Sequence, residues 1–288
     1  MELLELLQTT PLLFVSLLFV LGLVIGSFLN VVVYRLPIML ERDWRVSAQE
    51  ILALEQEKLT TFNLILPNST CPKCGHQIKP LENIPLISYL VLGGKCANCK
   101  NKISLRYPLV ELASGLIAAF IGWYFGFSFT TSALLIFSWA LLAMSLIDAD
   151  HQILPDDLVL PLLWLGLIVN QFHLFTDQTS ALIGAIAGYL SLWLVYWAFK
   201  LLTGKDGIGY GDFKMLAMLG AWAGWQMLPL IVLLSSGVGA ILGIIWLKVQ
   251  KQDNSTPLPF GPYLAIAGWI ALIWGDAIIN QYLTLLKI

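Results

Sequence analysis

Eight stretches of this chain are too apolar to face water for their whole length. Pro11–Val33 holds no charged residue and exceeds the roughly 20 residues a helix needs to cross a bilayer. Further apolar runs follow at Pro108–Tyr124, Phe129–Ile147, Leu158–Phe172, Ala181–Leu202, Phe213–Trp225, Leu228–Leu247 and Tyr263–Asn280. Inside a bilayer no water satisfies backbone groups, so runs of this length must be helical. The expected fold is all-α and polytopic, with about eight transmembrane helices. The sixth run is short and carries Gly220 and Gly224, so it is the one expected to tilt or break. Composition agrees: 12% of residues are charged, against about 25% in a soluble domain. A net charge of -2 leaves no basic footprint for nucleic acid.

Basic residues set the expected direction. Ten of the 16 lie between Arg35 and Arg106. Alternating crossings put that segment on the same side as Lys200, Lys205, Lys214, Lys248 and Lys251, with Lys287 alone opposite. The basic side is the cytoplasmic one, which leaves both termini outside the cytoplasm. Glu2 and Glu5 stand where a signal peptide is basic, so the first run is expected to stay as a helix. Residues 1–34 then form a first transmembrane helix, 35–107 a cytoplasmic loop, and 108–288 a multi-helix membrane domain.

The loop carries Cys71-x-x-Cys74 and Cys96-x-x-Cys99. Two such knuckles about 20 residues apart suit a tetrahedral zinc ion. Four thiolates close the shell, so Zn²⁺ here is structural, in a small ribbon-like module. Gly75 and the Gly93–Gly94 pair allow the turns, and His76 is surplus to the ligand set. A reducing compartment argues against disulfides. The preceding segment Glu41–Lys58, with Leu52, Leu54 and Leu59, is expected to form an amphipathic helix.

Acids gather in two places. "SLIDADHQILPDD" puts Asp148, Asp150, Asp156 and Asp157 at the end of the third run. Asp148 follows Leu141–Ile147, with no polar break except Ser145, and so sits at the membrane edge on a buried helix. Asp156 and Asp157 follow Pro155, as helix-capping residues do. Asp150 is open between a solvated turn and a supporting role. "GKDGIGYGDFK" carries Asp206 and then Asp212, behind Gly207, Gly209 and Gly211, at the start of the sixth run. Both segments meet the cytoplasmic face. If Asp148 and Asp212 face each other, they share one proton and form a general acid–base pair for peptide hydrolysis.

These motifs, in this order, resemble the type IV prepilin peptidases, the leader peptidase/N-methyltransferases. "GSFLNVVVYRLP" (Gly26–Pro37), the paired cysteines, "RYPLVELASG" (Arg106–Gly115), "IDADHQILPD" (Ile147–Asp156), "GYGDFK" (Gly209–Lys214) and "PFGPYLA" (Pro259–Ala265) carry the likeness across nearly the whole chain. The resemblance implies that Asp148 and Asp212 are the catalytic pair. It implies cleavage after a glycine at the end of a basic leader, on prepilins and on type II secretion pseudopilins. It implies methylation of the new N-terminal amine from S-adenosylmethionine, and a bacterial inner-membrane location among lipid. No glycine-rich strand-turn-helix of a soluble cofactor fold accompanies the methylation.

Other residues stay open between structural and functional roles. Glu111 suits a helix N-terminus. Lys214 steadies Asp212 or anchors the cytoplasmic edge. Asn30 is expected to bond a neighbouring helix. Trp44, Trp123, Trp225 and Trp274 are expected at the interfaces. Two rival readings remain: a proton-coupled transporter, and a zinc-containing scaffold without catalysis.

Overall fold

A computed structural model describes residues 2–55, 60–205, 207, 209–250 and 259–286. Lys58 and Leu59 of the expected amphipathic segment, Asp206, and Lys251 and Lys287 of the charge argument lie outside these residues. The chain divides into two compact units, Met1–Trp139 and Ala140–Ile288.

The first unit holds α1 (Glu2–Thr9), α2 (Pro11–Ile51), a short α3 (Ile87–Val91), α4 (Arg106–Phe125) and the opening of α5 (Phe129–His151). Helix α2 does not stop at the membrane edge. It runs on through Pro37 for 41 residues, and the expected separate amphipathic helix is its continuation. The continuation ends at Leu52, so Leu52 and Leu54 lie beyond the helix and are exposed.

Small residues bring α2 and α4 together, as they do where apolar helices cannot gain by leaving lipid. A Cβ on Gly22 would stand 2.8 Å from that of Ala118, and one on Gly26 would stand 2.7 Å from the Glu111 Cα. The Ser114 hydroxyl donates to the Gly22 carbonyl at 2.5 Å. Asn30 donates to the Tyr107 carbonyl at 3.2 Å, the interhelical bond its position suggested. Arg35 is buried, not a simple edge anchor: it donates to the Asn63 and Pro67 carbonyls at 2.8 and 2.6 Å and pins the loop to α2.

The second unit holds the end of α5, α6 (Asp156–Asn170), α7 (Gln178–Thr203), α8 (Tyr210–Ala223), α9 (Leu228–Gln250) and α10 (Gly261–Leu285). The eight expected helices are thus present, as α2 and α4–α10. Among the described residues α2, α4, α5, α7 and α10 are long and apolar enough to cross a membrane. Helix α8 has only 14 residues, about 21 Å at 1.5 Å per residue, short of a bilayer's ~30 Å core. It does not need to match that thickness, because α6, α7 and α10 pack around it and nearly every residue from Asp212 to Ala223 is buried. Gly220 is no break: it lets α8 cross α7 at Gly184, where a Cβ on either would collide with the other's carbonyl. The helix ends at Gly224, whose φ of 84° suits glycine.

Candidate active site

Helix α5 ends one turn after Asp148. Gln152 takes a left-handed φ of 55°, and its N–H donates to the Asp148 carbonyl at 2.8 Å. The Asp148 side chain is 5% exposed. Its Oδ2 accepts the backbone N–H of Gly261, the first residue of α10, at 2.8 Å. Asp212 is the third residue of α8 and is 8% exposed. The two carboxyls lie close enough to interact electrostatically. Sequence 64 residues apart is therefore brought to one buried place within one compact unit.

The three glycines before Asp212 work through space and not through unusual torsions. Gly209 caps α8 in extended conformation, φ -74°. A Cβ there would meet Asp212 Oδ2 at 3.2 Å, one on Gly211 would meet Leu154 at 2.9 Å, and one on Gly207 would meet the Phe199 ring at 2.7 Å. Tyr196, Tyr210 and Phe213 pack ring to ring beside this turn, with centroids 5.2 to 5.7 Å apart. Lys200 donates to the Tyr196 hydroxyl at 2.9 Å.

The remaining acids separate by role. Lys214 does not reach for Asp212; it grips Asp156. Asp156 and Asp157 lie in the first turn of α6, but the N-cap is Pro155 and no side chain caps the helix. Asp150 and His151 are exposed. In the first unit Glu111, 8% exposed, is more than a favourable charge near a helix start. It accepts the N–H of Leu86 at 2.9 Å, where the chain turns through a left-handed φ of 59°.

The cysteines form a second centre. Their four Sγ atoms lie within 4.8 Å of one another, and Cys71 and Cys99 are 3.8 Å apart. A tetrahedron with ~2.3 Å zinc–sulfur arms has edges of about 3.8 Å, so the set fits one metal ion. The knuckles repeat one another. Cys71 N–H donates to His76 O and Cys96 N–H to Asn101 O, while Gly75 and Lys100 take left-handed φ values of 69° and 59°. Gly93 and Gly94 are left-handed too, but the second knuckle turns on Lys100. Backbone N–H groups of Lys73 and Cys74 hold the Cys71 thiol below its usual range, and that of His76 does the same for Cys74. His76 turns to Glu82, at 2.9 Å, and not to the sulfurs.

In the sequence the segment around Gly261 is a motif without a visible role. The signal was a glycine between two prolines at a helix start. Arg35 and Asn170 were likewise silent, since nothing in sequence names the carbonyls they bond.

Long apolar helices, a four-cysteine cluster and two buried carboxyls in one compact unit define an integral membrane protein with a four-cysteine centre. Residues 20–125 match the Bacterial Peptidase A24 N-terminal domain, and residues 135–244 match the Type IV leader peptidase family. The chain is 64% identical to a prepilin leader peptidase/N-methyltransferase of Pseudomonas aeruginosa, over 98% of both chains. It is 62% identical to one of Stutzerimonas stutzeri, over 97% of both, and 53% identical to one of Aeromonas hydrophila, over 98% of both. It belongs to the type IV leader peptidase family. No solved structure matches it. Membership in a peptidase family removes the transporter and scaffold readings.

Proposed function

We propose that this protein removes the leader from type IV prepilins and from type II secretion pseudopilins, then methylates the new N-terminus. The observation that carries the reading is the burial of Asp148 and Asp212 within electrostatic reach of each other, at the ends of two helices. A carboxyl pair sharing one proton serves both halves of peptide hydrolysis. The ionised member takes a proton from water, whose oxygen attacks the scissile carbonyl. The protonated member gives its proton to the carbonyl oxygen as the tetrahedral intermediate forms. On collapse the C–N bond breaks and the amine leaves with the proton returned by the pair. Burial of the carboxyls strengthens these interactions.

Lys200 and Lys214 flank this end of the helices, and by the positive-inside rule the site opens to the cytoplasm of the inner membrane. Cys71, Cys74, Cys96 and Cys99 would hold Zn²⁺ with a closed shell, stiffening the loop without taking part in catalysis. S-adenosylmethionine supplies the methyl group when bound. Lipid surrounds the apolar helices.

The test is prepilin cleavage by purified protein in detergent, followed by mass. Asp148→Asn and Asp212→Asn should each abolish cleavage while zinc content and methylation of pre-cleaved pilin persist. Near-normal cleavage by either variant overturns the assignment of the pair.

A further inference from the structure

We propose that Gly261 is a positioning residue for leader cleavage: its backbone N–H and its missing side chain together set the orientation of the Asp148 carboxyl. The inference rests on the reading of Asp148 as one of the catalytic pair.

The first backbone N–H groups of a helix have no partner within it. In α10 the N–H of Gly261 is spent on Asp148 Oδ2, at 2.8 Å. Space makes the second half of the case. A Cβ on Gly261 would stand 2.7 Å from Asp148 Oδ2, 3.0 Å from Cγ and 3.2 Å from Cβ. A methyl group would thus lie along the whole carboxyl and force it to rotate off the N–H. The torsions at Gly261 are not left-handed, so the backbone itself accepts any residue. What excludes other side chains is Asp148.

The N–H is also fixed relative to the other acid. Helix α10 packs against α8, with Gly268 set against Leu219, and its Leu264, Ala265 and Ala267 are buried. Asp212 begins that same α8. Pro262 follows Gly261 directly and restricts its backbone. Asp148 is therefore held by the start of a helix that packs on the same α8 that Asp212 begins, and this gives the "PFGPYLA" segment a role in the chemistry.

Steady-state cleavage of a prepilin peptide tests this in the full-length protein. Gly261→Ala is compared with Gly275→Ala, which crowds Met227 from the same helix, away from Asp148, and with Asp148→Asn. The expected result for Gly261→Ala is a kcat lower by on the order of 10²-fold, the cost of misplacing a reacting group by about 1 Å. KM should stay within about 3-fold, because binding is not what is lost. Gly275→Ala should keep its kcat even where its Tm falls as far. Wild-type kcat in Gly261→Ala, with Asp148→Asn inactive, overturns the inference and leaves the catalytic pair intact. Loss of kcat in both glycine variants in proportion to Tm also overturns it, as ordinary packing. Cleavage by Asp148→Asn overturns the underlying pair instead. If Gly261→Ala does not fold, judged by failure to methylate pre-cleaved pilin, Pro262→Ala replaces it. That variant adds nothing beside Asp148 but loosens the helix start, and an unchanged kcat in it counts against the inference.

Discussion

The ammonium of Lys214 meets both carboxylate oxygens of Asp156, at 2.8 and 2.7 Å, and so ties the second turn of α8 to the first turn of α6. Lys214 lies two residues beyond Asp212, and Asp156 eight beyond Asp148. The bond spans the same two segments that carry the catalytic pair. The side chains are 33% and 51% exposed, so the pair is screened and adds at most about 1 kcal/mol to stability.

The first prediction follows from that contrast between energy and position. Lys214→Met and Asp156→Asn should each leave Tm nearly unchanged yet lower kcat several-fold, and raising the salt should lower kcat in the wild type more than in either variant, which has no pair left to screen. Reversing the charges together, Lys214→Asp with Asp156→Lys, should recover part of the loss. Cleavage kinetics of the four proteins at two ionic strengths check this.

A second prediction concerns Asp177, the N-cap of α7. Its Oδ1 accepts the N–H of Ser180 at 2.9 Å. The Ser180 hydroxyl and then its N–H hold the carboxyl below its usual value of 3.8. A carboxyl depressed in the folded state stabilises fully above its unfolded value and loses that contribution as pH falls through the folded one. Asp177→Ala should therefore lower Tm by a constant amount at neutral pH. The gap between variant and wild type should shrink only below about pH 4. Thermal unfolding in detergent across that range measures it, and Asp177→Asn should fall between the two.

The third prediction concerns the cysteine centre. Purified protein should carry one zinc per chain by elemental analysis, and Cys71→Ser or Cys96→Ser should lose it. Among the knuckles, Gly75 and Lys100 occupy equivalent left-handed positions. Gly75→Val should weaken metal retention, since a β-branched residue is strained there. Lys100→Gly should hold zinc at least as well as the wild type, having relieved about 1 kcal/mol of backbone strain. Release to a competing chelator ranks the variants.

How much of this was legible depended on whether a feature is local or relational. The eight helices could be read because hydropathy is a property of consecutive residues. The cysteine spacing could be read because each knuckle is local and only their meeting is not. Asp148 and Asp212 stood out as charges at the edges of apolar runs. Relations across the fold were hidden. Lys214 reads as a neighbour of Asp212, yet its long side chain leaves that turn for Asp156. Gly261 reads as a loop glycine because the carboxyl it makes room for lies 113 residues earlier. Helix α2 was expected to end near Arg35 because charge begins there, but a helix leaving the membrane can continue in water when helix-forming residues follow. Here the Glu41–Arg45 pair, one turn apart, supports the continuation.

The last prediction separates stability from chemistry within the second unit. Asn170 is fully buried at the end of α6. Its amide donates to the carbonyls of Ala221 and Trp222 at 2.8 and 2.9 Å, and its oxygen accepts the N–H groups of Phe175 and Thr176 at 3.0 and 3.2 Å. One side chain thus joins the end of α6, the end of α8 and the loop between α6 and α7. The Trp222 indole reinforces the joint by donating to the Leu162 carbonyl at 2.8 Å. Asn170→Ala leaves four backbone groups without that partner, and each unsatisfied buried group costs about 1–3 kcal/mol. A loss of roughly 3 kcal/mol or more is expected once some groups find water or one another. Asn170→Asp should be at least as damaging, because a carboxylate facing two carbonyls has lost both donors and gained a buried charge. All of this lies at the opposite end of α8 from Asp212. Folded Asn170→Ala, assayed well below its lowered Tm, should therefore cleave prepilin with near wild-type kcat. Lys214→Met should show the reverse, a normal Tm and a reduced kcat. If the two variants instead lose Tm and kcat together, α8 transmits strain along its length and its two ends are not independent.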